Sequence, residues 1–145
     1  MANSRVILGR LRTVALALPE AHERLAWGEP TFRVKNKLFA MYASAANHHG
    51  FGRPSVWLKS TPDNQELMIR ARPDRFFKPP YVGTSGWVGV YLDKRPNWRE
   101  VAALLADGWR LTAPKKLVAA HPRGRRSLTA DLRSRSAGTP RHSGC

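Results

Sequence analysis

Three evenly spaced glycines, Gly83, Gly86 and Gly89, are the first residues to test for chemistry, because glycine-rich loops can cradle phosphates. The spacing is not that of a Walker loop, and no Lys-Ser/Thr pair follows. The run also leads into a strand pattern, whereas phosphate loops deliver their ligand to a helix N-terminus. Turn and close-packing glycines are the better account. His48 and His49 are adjacent on a loop, so their side chains diverge and no third ligand stands at a useful spacing. His22 with Glu20 and Glu23 does not make a zinc-protease motif. No Gly-x-Ser-x-Gly elbow occurs, and Asp93 and Asp107 read as turn or helix-end residues. The sequence therefore gives no positive sign of catalysis, of a metal or of a cofactor.

Cations and aromatics are better placed. Lys35 and Lys37 flank a hairpin tip, a shape suited to lying along a nucleic-acid backbone. Arg75 and Lys78 flank a Pro-Pro-Tyr loop whose prolines hold it rigid, and rigid loops lose little entropy on binding. Arg33 and Lys59 lie on strand faces, and Lys115-Lys116 open a short helical turn. Arg33, Tyr42, Trp57, Lys59, Trp87 and Tyr91 fall opposite the expected core. Such a surface could stack bases and neutralise phosphates. It is ordinary core if a helix covers it, and a chain with three helices favours the covered reading. None of these cations reads as a base-edge contact.

The charge balance agrees with a polyanionic partner. The chain of 145 residues carries 25 Lys and Arg against 10 Asp and Glu, a formal charge of +15. Residues 119–145 hold six arginines against one aspartate, so ten of the surplus charges lie on residues 1–118. Nucleic acid is the first partner to consider and an anionic membrane surface the second. A lone, terminal Cys145 excludes an intrachain disulfide framework and a cysteine-based zinc site. No apolar run approaches a membrane span and no leader pattern opens the chain, so a cytoplasmic protein is expected.

The elements that must position these residues follow from periodicity. Ser4 caps a helix with apolar Ile7, Leu11, Val14, Ala15 and Leu18, ended by Pro19. His22 to Trp27 reads as a strand broken by Gly28-Glu29-Pro30. Thr31 to Val34 and Lys37 to Ala43 read as a hairpin around Lys35-Asn36. Alternation then puts Phe32, Val34, Phe39 and Met41 in the core and Arg33, Leu38, Ala40 and Tyr42 opposite. Ser55 to Ser60 is a strand, Thr61-Pro62-Asp63 starts a helix to about Ala71, and Trp87 to Leu92 is the last strand. Asn97 and Glu100 have capping-box spacing for a final helix that Gly108 is expected to interrupt. Beyond residue 118 apolar residues thin out, and disorder is expected. The domain is thus read as 1–118 with a basic tail over 119–145. The order of elements argues for an α+β antiparallel sheet over a parallel one.

Several blocks resemble the MmcQ/YjbR-like family. Trp27-Gly28-Glu29-Pro30-Thr31-Phe32-Arg33-Val34 looks like its first signature, with Lys37 and Phe39-Ala40 following, and Val56-Trp57-Leu58-Lys59 looks like its second. Arg75-Phe76-Phe77, Pro79-Pro80-Tyr81-Val82-Gly83 and Gly86-Trp87-Val88-Gly89-Val90 resemble the third; Trp98, Leu111 and Ala113-Pro114-Lys115 complete the pattern. The resemblance implies a secretion-chaperone-like, double-wing fold with a sheet of about five strands and helices at the N-terminus, middle and C-terminus. It also implies DNA binding, a label that rests on structural analogy.

The expectation is a monomeric domain that binds duplex DNA through phosphates with little sequence preference. Its contacts would be Lys35, Lys37, Arg75 and Lys78, assisted by Arg33, Lys59, Lys115 and Lys116. A protein-interaction module is the alternative, marked by exposed Trp57, Trp87 and Tyr91. An enzyme on a nucleotide-like substrate would need a pocket with convergent polar groups.

Overall fold

A computed structural model describes residues 4–46 and 52–122. The loop histidines His48 and His49 and most of the basic tail lie outside these residues. Helix α1 (Ser4–Ala15) leads into a six-stranded antiparallel sheet built from β1 (Ala21–Ala26), β2 (Glu29–Val34), β3 (Lys37–Ala43), β4 (Ser55–Leu58), β5 (Phe76–Phe77) and β6 (Val88–Tyr91). Helix α2 (Pro62–Ala71) joins β4 to β5, and a 3-10 turn (Val82–Ser85) precedes β6. Helices α3 (Trp98–Thr112) and α4 (Lys115–Ala119) end the described chain. The strand order is β1-β2-β3-β4-β6-β5. The α+β class is as expected, with one more strand than five, the two-residue β5.

Two hairpins of one design make up β1, β2 and β3. Lys35 and Asn36 both take positive φ (50° and 65°), the geometry that matches the twist of paired strands. Trp27 and Gly28 do the same at the other end of β2 (55° and 77°). Gly28-Glu29-Pro30 therefore does not break the sheet. The turn is only Trp27-Gly28, and Ala26 pairs with Glu29. Pro30 lies beyond the stretch of β2 that pairs with β3, where a missing N–H is tolerated.

The expected core face is corrected by a bulge. Val34 pairs with Lys37 as expected, but Phe32 pairs with Ala40 rather than Phe39. One extra residue reverses the parity of the residues beyond it. Ala40 and Tyr42 thus join Phe32, Val34 and Phe39 in the main core, while Met41 passes to the opposite face.

That core lies between the sheet and the helices. Ile7, Leu11 and Ala15 of α1, Met68 of α2, and Val101, Leu104, Leu105 and Trp109 of α3 fill it. Each fully buried large side chain contributes roughly 1.5–3 kcal/mol. The Asn97 side chain accepts from the N–H groups of Arg99 and Glu100 and caps α3. The helix runs unbroken through Gly108, contrary to the expected interruption. A Cβ there would meet the carbonyl oxygens of Lys59 at 3.0 Å and Phe39 at 3.3 Å, so glycine lets α3 sit directly on β3 and β4.

Candidate nucleic-acid interface

Strand register decides which sequence-expected cations meet. Lys35 and Lys37 stand at the β2–β3 turn. Leu58 pairs with Ala40 and the Lys59 N–H donates to the Phe39 carbonyl at 3.0 Å, so Lys59 leaves β4 at that same end. Leu58 also pairs with Val88, and Phe77 pairs with Gly89, which brings Lys78 to this end as well. Three interstrand spacings, about 14 Å, separate β3 from β5. Lys37 and Lys78 are exposed and Lys59 half-buried, and none of the three has a carboxylate partner among the described residues.

The supporting cations behave differently. Lys35 is paired with Glu20 at 2.8 Å, both exposed, so its charge is partly offset. Arg33 lies on the face opposite the core; its guanidinium donates to Thr31 Oγ1 at 3.1 Å and reaches the Asn36 carbonyl at 3.5 Å, toward the same turn. The C-terminal half of α3 approaches this end too, because Gly108 packs on Lys59 and Trp109 Nε1 donates to the Pro19 carbonyl at 2.9 Å. Exposed Lys115 and Lys116 follow on α4. Asp63, in the first turn of α2, joins Glu20 as an acid of this end.

Arg75 is not brought together with these. Its carbonyl accepts from the Tyr91 N–H, which puts it at the opposite end of the sheet. Its guanidinium lies 3.4 Å from Glu100, a carboxylate that also holds Arg72 at 2.8 Å and is itself buried. Glu100 thus sits in the first turn of α3 and neutralises two arginines, a role that capping-box spacing alone does not reveal. Arg53 and Asp93 make a two-point pair nearby, both bonds 2.9 Å. Arg53 holds the Asp93 carboxyl below its usual range, and Asp93 raises Arg53. The Arg53 guanidinium also lies 3.6 Å from the Tyr91 ring centroid, and Tyr91 stacks on Phe77.

Around Trp57 and Trp87 the outer sheet face is covered, with Val82 of a loop rather than a helix packed there. Trp57 and Trp87 are 3% and 7% exposed, in a small cluster with Ala43 against which Leu38, Met41, Phe77 and Val82 pack. Tyr42 belongs to the main core; burial and nearby Glu29 raise its pKa. The Lys78–Gly86 loop is held by Gln65 of α2, whose Nε2 donates to the carbonyls of Gly83 and Trp87. Gly86 takes φ 94°, and a Cβ there would stand 2.7 Å from the Pro62 nitrogen. Exposed apolar side chains lie elsewhere: Leu25 and Trp27 on the first hairpin and Tyr81 at the loop apex, all above 70% exposed.

No group of three potential metal ligands exists among the described residues, and no helix there is long and apolar enough to cross a membrane. A hollow of about 270 Å³ beside α4 is lined by Arg110, Ala113, Lys115, Val118, Ala119 and Pro122. It offers two cations but no nucleophile and no carboxylate.

The comparisons with known proteins agree on the fold. The crystal structure of Deinococcus radiodurans protein DR2400, with family-model domain DUF419, matches with a TM-score of 0.59 at 22% identity, covering 72% of this chain and 76% of that one. At that identity the likeness is one of fold. No curated protein matches the chain. The YjbR family model matches residues 16–111, from the end of α1 through most of α3 and including both hairpins, and on that span the chain belongs to the YjbR family.

Proposed function

We propose that this protein binds duplex DNA through its phosphates, with little sequence preference. The observation that carries the reading is the row of Lys37, Lys59 and Lys78 across one end of the sheet, each without a carboxylate partner among the described residues. A lysine already committed to a carboxylate has less to gain from a phosphate. An uncommitted one gains by releasing the counterions condensed on DNA. Lys35 and Arg33 add charge beside the row, Lys115 and Lys116 extend it, and the tail arginines supply unspecific affinity. Arg75 is left out of the contact set. The absence of base-reading geometry implies an affinity on the order of 10⁻⁴ to 10⁻⁶ M that falls steeply with salt.

In this reading the protein is a monomeric, non-catalytic, cytoplasmic binding module. Fluorescence anisotropy of labelled duplex DNA tests it, using the full chain at several salt concentrations. Saturable binding that weakens steeply with salt and with charge reversal at the lysine row supports the reading. Binding indifferent to those lysines contradicts it.

A protein partner is the second reading, on a different surface from the one expected. Trp57 and Trp87 are buried, but Leu25 and Trp27 expose 71% and 75% of their area on the edge hairpin. Such side chains suit a docking partner. Trp27→Ser should abolish that docking while leaving DNA affinity unchanged, because Trp27 stands at the end of the sheet away from the lysine row.

A further inference from the structure

Tyr81 combines exposure with a costly backbone. It has φ 64° and ψ −73°, a γ-turn closed by the Val82 N–H donating to the Pro80 carbonyl at 2.7 Å. A bulky L-residue avoids this region, and a glycine would occupy it freely. The ring is 74% exposed, so core burial does not offset the strain. Strain of this kind is kept where the surroundings enforce it.

They do so here. Two prolines precede Tyr81, Thr84 Oγ1 donates to the Tyr81 carbonyl at 2.9 Å, and Gln65 grips the loop on the far side of Val82 at Gly83 and Trp87. The Lys78 stem lies across Gly83, with its Cγ 2.7 Å from where a Cβ would be, so one rigid loop carries both an outward aromatic ring and an uncommitted ammonium.

We propose that Tyr81 is a stacking platform for an unpaired base, making DNA with single-stranded or extruded nucleotides the preferred ligand of the lysine end. The proposal rests on the DNA reading above and names the substrate class within it. Bases in an intact duplex already have both faces stacked, and the ring can engage only one that has left the helix. Lys78, on the same loop, meets the phosphate beside it. The combination of aromatic face and backbone cation is that of single-strand binding surfaces. Preset geometry keeps the ordering cost low.

The test compares a blunt duplex with the same duplex carrying a short single-stranded gap, both titrated with the full chain. The gapped probe should bind roughly tenfold to a hundredfold tighter, the worth of one stacked base. Tyr81→Gly should remove that preference while leaving duplex affinity unchanged, and it should raise the thermal midpoint because glycine relieves the strained φ. Tyr81→Phe should retain the preference. Equal affinity for both probes, or a preference that survives Tyr81→Gly, overturns the stacking proposal alone. Lys37→Glu/Lys59→Glu/Lys78→Glu that leaves both affinities untouched overturns the lysine row as the DNA surface, and absence of binding to either probe by the unaltered chain overturns the DNA reading itself.

Discussion

At one end of the sheet Lys37, Lys59 and Lys78 stand without a carboxylate partner among the described residues, while at the other Arg53, Arg72 and Arg75 are tied to Asp93 and Glu100. The two ends carry the same sign of charge with different consequences. Arginine's planar fork suits fixed, multi-point pairing; here Glu100 ties the end of α2 and the approach to β5 to the start of α3, and Asp93 ties the end of β6 to the approach to β4. Lysine is a hydrated point charge on a flexible stem, better suited to phosphates whose positions vary. Exposed Lys94 and Arg95 follow Asp93 and have no such partner among the described residues, so the far end has uncommitted cations too, though on a loop rather than in a row across strands. Net charge alone therefore does not tell the two ends apart; what marks the lysine end is that its uncommitted cations stand in a row across strands.

Charge reversal at each end in turn separates the two most sharply. Reversing Lys37, Lys59 and Lys78 together should weaken duplex binding by about a thousandfold at low salt, whereas Lys94→Glu/Arg95→Glu should change it by only about threefold. Anisotropy titrations read both. A similar loss from the second variant would show that charge is diffuse and that the row has no special standing.

Next in size is Glu100→Gln, which leaves two part-buried arginines without their common anion. Stability should fall by about 2–3 kcal/mol in urea unfolding, with DNA affinity little changed. Gly108→Ala should cost about 1–3 kcal/mol, because backbone oxygens on β3 and just beyond β4 give way less easily than side chains. Smallest is the acid limb of stability. The Asp93 carboxyl is held below its unfolded value, so its contribution is present above the ordinary carboxylate range and is lost as pH falls through the lower, folded value. Asp93→Asn should flatten that limb in pH-dependent melting curves, and an unchanged limb would remove the pair from the stabilising set.

Much of this fold is legible in the sequence because its signals are local. The Thr61-Pro62-Asp63 start of α2, the Asn97 cap of α3 and the Lys35-Asn36 turn each depend on a few neighbouring residues, and each is found. The failures depend on tertiary context. A bulge within the apolar run Leu38-Phe39-Ala40-Met41-Tyr42 has no sequence mark, yet it decides which of Ala40 and Met41 is core. Trp27 at positive φ hides a two-residue turn that Gly28 alone only hints at. Gly108 reads as a helix breaker until the sheet beneath it is known.

The candidate site follows the same division. Residue type and spacing point to the lysines, but they misplace Arg75, because nothing local ties it to Glu100, twenty-five residues later in the chain. Tyr81 stands in a loop motif that gives it no role by sequence. Two prolines before an aromatic indicate rigidity, not a γ-turn that holds the ring outward.

Whether the lysine row reads DNA phosphates is decided by the salt dependence of duplex binding, measured on the full chain and on Lys37→Glu/Lys59→Glu/Lys78→Glu. The reversed variant should lose roughly three units of the slope of log affinity against log salt, about 0.9 for each phosphate contact removed. An unchanged slope, with affinity intact, would contradict this and move any DNA binding to other cations.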